Sequence, residues 1–335
     1  MRKLAIPRGR LENASSLKRH LRSQLPRIGV SLEPSKLRPY DEDQFLQLLI
    51  GALRGGECGQ KPEEKNIILT RGDIDCWFQE RVKKNTIEIS HKHKEIYHLT
   101  IFALTAARQM WTGGTQMTPT EFSRRGKRRP LLQVVADLFT GKIGEVATQR
   151  LAHNLGYEVQ PDWDLSSERE RYRSDLTRIG RVEAGRLYDV PWIISIKSSA
   201  SLTGAWAEAP QGARIALFWK VALPEDFLLR LLQYISSWTK LIEFLKGRVG
   251  QADPFKNFLQ SLRQIESGLS IPCYFEGFYW PSQDTLRSAG DELPFIGEVR
   301  ESKHMCPTGQ LQWSQEEFRQ LMEQIYQEAK GGDGR

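Results

Sequence analysis

The segment from residue 131 to residue 200 places three charged side chains in an order that limits how this part of the chain can fold. Glu145 stands among apolar residues that recur at helical spacing, and thirty residues later Asp175 opens a short alternating run, DLTRI. Lys197 then ends a more apolar run, WIISIK. The pattern predicts a helix and then strands, with an acid on the helix, an acid at the start of one strand and an amine at the end of another.

The residues around this segment predict a mixed α/β core. Four apolar or alternating runs are typical of strands: YEVQ (157–160), DLTRI (175–179), WIISIK (192–197) and ARIALFWKVAL (213–223). Helical patterns precede and follow them, including a terminal helix in WSQEEFRQLMEQIYQEA (313–329), and Gly141 and Gly144 predict a break in the first helix. We therefore predict an α/β fold in which a mixed sheet is flanked by helices.

The length of 335 residues suggests about two domains. We predict a basic, mainly helical N-terminal region over residues 1–125, and a second domain over residues 126–335 with its core at 131–221 and helices at its C-terminal end. Residues 112–130, rich in Gly, Thr and charge, are predicted to form a linker or a mobile loop between them.

Positive charge is concentrated in two places. Residues 1–40 hold ten Lys or Arg and two Glu, a net charge of +8, whereas the whole chain carries +7. The second cluster comes directly before the first core helix and consists of Arg124, Arg125, Lys127, Arg128 and Arg129. Such blocks favour a polyanion through phosphate neutralisation and counterion release. For residues 1–20 a solvated basic tail is the alternative.

Several classes of protein are disfavoured by what the sequence lacks. The longest apolar stretch is interrupted by Arg230 and is too short to span a bilayer, and the N-terminus has no apolar core of a secretory signal. Four cysteines are too few for a disulfide framework and suit a cytoplasmic protein. Neither a G-x4-GK[ST] phosphate loop nor a G-x-G-x-x-G fingerprint occurs, so we expect no membrane association and no nucleotide cofactor.

Two carboxylates and one amine are the groups that phosphodiester hydrolysis needs. A metal held by carboxylates lowers the pKa of the attacking water and offsets negative charge on the phosphate, and Mg²⁺ needs only one or two protein carboxylates. We predict Asp175 as the principal Mg²⁺ ligand, Glu145 as a ligand of the same or a second ion, and Lys197 as the catalytic amine. In the alternative interpretation none of the three residues is catalytic. Glu145 is then a solvated helix residue, Asp175 a cap at the start of a strand, and Lys197 an edge residue.

The arrangement resembles the PD-(D/E)xK nuclease superfamily, the fold of many type II restriction endonucleases, over residues 131–221. In that family a helix acid precedes a strand that begins with Asp, and the next strand ends in D/E-x-K; these positions fall on Glu145, Asp175 and Lys197. The family's second carboxylate falls on Ser195, which is a departure.

Other side chains near this motif are candidates for the site. The residues that could supply the missing oxygen are Glu145, Asp162, Asp164 and Glu208, and Asp162 or Asp164 could also replace Asp175 as the ligand. Ser198 and Ser199 follow the lysine and either contact phosphate or form the polar end of the strand.

The resemblance implies a magnesium-dependent endonuclease that cuts double-stranded DNA, most like a type II restriction enzyme, acting as a homodimer. A repair, transposition or CRISPR-linked nuclease of the same superfamily is the second interpretation. The third interpretation is a protein of another class, a nucleic-acid-binding protein whose nuclease site has decayed. Ser195, in place of the carboxylate, is the residue that indicates this.

Overall fold

The computed structural model describes most of the chain from residue 68 onward. The described residues are 68–111, 123–124, 127–128, 131–164, 174–199, 206–224, 226–232, 269–293 and 297–332, together with residues 10, 11, 16, 17, 19, 20, 23, 240 and 243. Three predicted segments lie mostly outside them: the basic region at residues 1–40, the linker at residues 112–130, and the two helices that the sequence predicts over residues 226–249 and 253–269.

The helices follow the apolar periodicity of the sequence. They are α1 (Arg71–Trp77), α2 (Lys94–Trp111), α3 (Leu131–Asn154), α4 (Phe227–Leu232) and α5 (Gln315–Gly332). The helix predicted at the C-terminus is confirmed as α5. The predicted break at Gly141 and Gly144 is wrong, because α3 runs through both glycines as one helix. Gly144 has a packing role instead, since a Cβ on it would lie 1.8 Å from Ser198 Oγ.

The strands are mostly short. They are β1 (Arg10–Leu11), β2 (Ile68–Leu69), β3 (Thr86–Ser90), β4 (Ser123–Arg124), β5 (Lys127–Arg128), β6 (Tyr157–Pro161), β7 (Leu176–Arg181), β8 (Leu187–Asp189), β9 (Ile194–Ser199), β10 (Trp206–Ala209), β11 (Ile215–Val221), β12 (Ser270–Tyr279), β13 (Leu286–Arg287), β14 (Glu292–Leu293), β15 (Gly297–Glu298) and β16 (Lys303–Pro307). All four strands predicted between residues 157 and 223 are confirmed, as β6, β7, β9 and β11.

The strands of the predicted core form a mixed sheet and an antiparallel meander. The mixed sheet has the order β3-β12-β11-β9, in which β11 and β9 are parallel and the other pairs antiparallel. The meander has the order β6-β7-β8. The two join where the main-chain N–H of Asp175 donates to the carbonyl of Ile194 at 2.8 Å. The predicted α/β class with a mixed sheet and helices is therefore confirmed.

The two faces of the mixed sheet are covered differently. On β11, Leu217 and Trp219 belong to the main core, where Trp219 donates to Thr148 of α3 at 2.8 Å. On the opposite face, Phe218 packs in a smaller apolar cluster with Ala207 and Cys306 of the three-stranded sheet β10-β16-β13. Burial on both faces explains the continuous apolar run in this strand.

The N-terminal region contributes directly to the same structure. Strand β3 pairs antiparallel with β12, and α2 packs along α3, where Arg150 forms an ion pair with Glu95 at 3.0 Å. The domain boundary near residue 125 stays a prediction. No helix in the described ranges is both long enough and apolar enough to cross a membrane.

Helix α5 is tied to the meander by a polar cluster. Tyr157 donates its hydroxyl to Glu323 at 2.6 Å, and Arg181 forms an ion pair with the same carboxylate. Hydrogen bonds from Tyr157 and Gln327, together with the charge of Arg181, lower the pKa of Glu323. Burial, and then the hydrogen bond to Glu323, raise the pKa of Tyr157 to about 12.

Candidate active site

Asp175 stands at the junction between the meander and the mixed sheet. It directly precedes β7, and its Oδ2 accepts the main-chain N–H of Ile196 at 2.6 Å. Beside it, the Ser174 hydroxyl accepts the N–H of Ile194 at 3.1 Å and donates to the carbonyl of Leu176 at 2.6 Å. The Asp175 carboxylate is therefore hydrogen-bonded to the backbone of β9 at Ile196, the residue that precedes Lys197.

Lys197 lies within β9 rather than at its end as predicted, since the strand continues to Ser199, and it is on the face that points away from α3. Ser198 contacts α3, so alternation along the strand places Ser195 and Lys197 together on the opposite face. Lys197 is half-buried, and within the described ranges its ammonium makes no hydrogen bond or ion pair. Ser195 is buried at 4 % exposure, two residues before the lysine. The amine is thus available for a negatively charged ligand.

Glu145 is buried, which rules out the interpretation of it as a solvated helix residue. It is 5 % exposed, and its Oε2 accepts a hydrogen bond from Lys142 Nζ at 2.7 Å. Lys142 stands one helical turn earlier, is 4 % exposed, and also donates to the main-chain carbonyl of Asp162. Glu145 therefore forms a buried ion pair on the α3 side of the mixed sheet, whereas Lys197 lies on the opposite face of the sheet.

Asp162 is the acid whose backbone is bonded directly to Asp175. It follows β6, and its N–H donates to the main-chain carbonyl of Asp175 at 3.1 Å. Its side chain is 2 % exposed and accepts the N–H of Asp164 at 3.1 Å through Oδ1. Asp164 is half-buried. The end of β6 thus brings a second carboxylate to the place where β7 begins.

Glu208 is engaged elsewhere. It lies on β10, where its carboxylate forms an ion pair with Lys303 of β16. It belongs to the small sheet that covers the face of the mixed sheet on which both Phe218 and Lys197 lie. The contacts described for Glu208 therefore link β10 to β16 rather than to Asp175.

The predicted phosphate contacts divide into two groups. Ser198 lies under α3, with its Oγ 3.5 Å from the carbonyl of Gly141, whereas Ser199 is the half-buried last residue of β9. The basic cluster before α3 is described in part. Arg124 lies in β4 and Lys127 and Arg128 in β5, and these strands pair as a short antiparallel hairpin; Arg125 and Arg129 lie outside the described residues.

Lys142 is the residue at this site that sequence reasoning missed. Its ammonium lies 4.6 Å from the centre of the Phe102 ring and 5.5 Å from that of Trp163, as well as beside Glu145 and Asp162. Its spacing of three residues from Glu145 was a usable signal, because such pairs meet on one helix face. What the sequence did not reveal is that this helix face is buried against α2 and the end of β6.

The oxygen donors at this site match the chemistry of Mg²⁺. That ion uses one or two carboxylates and completes its coordination with water and substrate phosphate. Asp175 and Asp162 come from neighbouring strand ends and supply carboxylates of this kind. Among the described residues, no three Asp, Glu, His or Cys side chains are grouped closely enough to hold a metal ion by themselves.

The comparisons with known proteins gave no match: neither a protein-family model, nor a curated protein, nor a solved structure matches this chain.

Proposed function

We propose that this protein is a Mg²⁺-dependent endonuclease that hydrolyses phosphodiester bonds of double-stranded DNA, most like a type II restriction enzyme. The observation that carries the proposal is the 2.6 Å hydrogen bond from the N–H of Ile196 to the Asp175 carboxylate, which joins the strand acid to the strand that contains Lys197. The order of elements agrees in part with the PD-(D/E)xK resemblance. The helix bearing Glu145 precedes β6 and β7, and Asp175 stands directly before β7, but the short strand β8 comes between β7 and the strand of Lys197, β9.

The proposed division of labour follows from where each group lies. Asp175 and Asp162 would hold the metal ion, which lowers the pKa of water and polarises the phosphate when it is bound. Lys197 acts as a point charge that orients the attacking water and stabilises the extra negative charge on the phosphate in the transition state. Its ammonium has no partner among the described residues that would compete for this role.

The hairpin before α3 would supply part of the DNA contact. Its basic residues Arg124, Lys127 and Arg128 belong to two paired strands and precede the helix that packs on β9. Contacts from Lys and Arg to phosphates set the register of a duplex without reading its sequence. Cutting both strands of a duplex is accomplished by a two-fold dimer in enzymes of this kind, so we also propose a cytoplasmic homodimer.

The proposal is tested with supercoiled plasmid DNA incubated with and without Mg²⁺. We expect cleavage that requires the metal and is lost in Asp175→Ala and in Lys197→Ala. Discrete fragments support a restriction enzyme, whereas a smear supports a repair or transposition nuclease of the same superfamily. Cleavage that persists in both variants would overturn the assignment of the site.

A second candidate function is supported by Ser195. This buried position carries a hydroxyl where the family has a carboxylate, and Glu145, a candidate to replace that carboxylate, is paired with Lys142. A protein that retains the fold and binds DNA without cutting it would lack the second carboxylate in this way. Binding of the plasmid without cleavage at any tested concentration of Mg²⁺ or Mn²⁺ would favour this second candidate.

A further inference from the structure

Lys142 is enclosed to an unusual degree for a lysine. Its side chain is 4 % exposed and is surrounded by α2, α3 and the end of β6. Its ammonium donates to Glu145 Oε2 at 2.7 Å and to the main-chain carbonyl of Asp162, and it lies over the rings of Phe102 and Trp163. Burying an ammonium is unfavourable unless it is paired and hydrogen-bonded, so each of these contacts contributes to holding it in place.

The contacts of Lys142 continue directly to the proposed metal ligands. The ammonium holds the carbonyl of Asp162, and the N–H of the same residue donates to the carbonyl of Asp175 at 3.1 Å. The Asp162 carboxylate is in turn fixed by the N–H of Asp164. Lys142 is therefore bonded to the strand end that carries the second carboxylate of the proposed site, where Ser195 supplies none.

We propose that Lys142 is a positioning residue for the metal site, and that Glu145 serves as its counter-ion rather than as a metal ligand. Asp162 then takes the place of the carboxylate that is missing at Ser195. This inference rests on the proposed function, because it assigns roles within the same Mg²⁺ site. Groups around a metal that orient its ligands typically change metal affinity by about 10- to 100-fold when they are removed.

The experiment measures binding of Mn²⁺ to the full chain without DNA, from the loss of the free-ion signal in electron paramagnetic resonance. We expect Lys142→Met to weaken binding by about 10-fold or more. Glu145→Gln keeps an acceptor for the ammonium and should bind within about 3-fold of the wild type. The matched control is Arg150→Met, which removes another ion pair of α3, the one with Glu95, and should bind like the wild type.

Loss of one partner from a buried pair can prevent folding, so the double variant Lys142→Met/Glu145→Leu is included. It removes both charges together, and we expect it to have the circular dichroism spectrum of the wild type and the weak Mn²⁺ binding of Lys142→Met. Wild-type affinity in this folded double variant would overturn the positioning role. A loss in Glu145→Gln as large as that in Asp175→Asn would show that Glu145 is itself a ligand.

These outcomes are separate from a failure of the proposed function. If the wild type binds Mn²⁺ and the Lys142 variants bind it equally well, only the role of Lys142 is refuted. If the wild type binds no Mn²⁺ and leaves DNA uncut, the metal site itself is refuted and the role of Lys142 falls with it.

Discussion

Replacing Gly144 by alanine tests the packing that holds α3 against β9. A Cβ at this position would lie 1.8 Å from Ser198 Oγ, 3.2 Å from Ser198 Cβ and 3.5 Å from Trp219 Cδ1. Ordinary contacts between carbon atoms begin near 3.5 Å, so α3 and β9 must separate by about 1 Å or more, or Ser198 must rotate. Overpacking of this kind costs about 1–3 kcal/mol in the free energy of unfolding.

The matched control is Gly141→Ala, one turn earlier on the same helix, where a Cβ would meet nothing within 4 Å. Alanine in a helix interior is favoured over glycine by about 1 kcal/mol, so this variant should be more stable than the wild type. Both variants gain the same helix propensity. The difference between their free energies of unfolding therefore isolates the packing effect, which we expect to be about 1–3 kcal/mol.

The measurement is urea unfolding followed by circular dichroism, with the free energy extrapolated to water. Ser198→Ala removes the nearest atom and should recover at least about 0.5 kcal/mol when it is combined with Gly144→Ala. Equal stability of Gly144→Ala and Gly141→Ala would refute the close approach of α3 to β9. It would also remove the packing reason for a glycine at position 144.

Two further predictions concern groups that are not assigned to the proposed metal site. Glu323 has a lowered pKa, so its ionised form stabilises the fold above the ordinary value of 4.5, and this contribution is lost as the pH falls below that value. We measure the free energy of unfolding in urea at about pH 5.5 and about pH 3.5, and expect it to fall less between them in Glu323→Gln than in the wild type. The control is Glu328→Gln, at an exposed residue of the same helix, which should behave like the wild type. Equal losses in all three proteins would contradict the role of Glu323. Glu208→Gln breaks the ion pair with Lys303 and should change stability by less than about 1 kcal/mol and the cleavage rate by less than about 3-fold. A large loss of cleavage would place Glu208 in the site after all.

The sequence predicted the elements of the core well because their signals are local. Alternation in DLTRI and the apolar run ending at Lys197 correspond to β7 and β9, and the terminal amphipathic pattern corresponds to α5. The helix break was predicted wrongly, because the effect of glycine on an isolated helix was considered without the strand on which it packs. Close approach to Ser198 is a tertiary property that periodicity along α3 cannot show.

The positions of the candidate strand residues were easier to predict from the sequence than the surroundings of the candidate helix residue. Asp175 was placed correctly at the start of a strand, whereas Lys197 lies inside β9 rather than at its end; the Asp175 carboxylate is bonded to β9 at Ile196. Whether Glu145 faces the metal or another charge depends on what lies opposite α3. In the folded chain Glu145 accepts a hydrogen bond from Lys142, which also donates to the carbonyl of Asp162 at the end of β6.

The role proposed for Asp175, to hold the metal for phosphodiester cleavage, is tested by the single-turnover rate of DNA cleavage at saturating Mg²⁺. Asp175→Asn keeps the size of the side chain and removes its charge; Asp189→Asn makes the same change at an exposed aspartate of β8 that pairs with Arg178. We expect Asp175→Asn to lower the rate by about 100-fold or more while it still binds DNA, and Asp189→Asn to cleave like the wild type. Equal cleavage by the two variants would contradict the account.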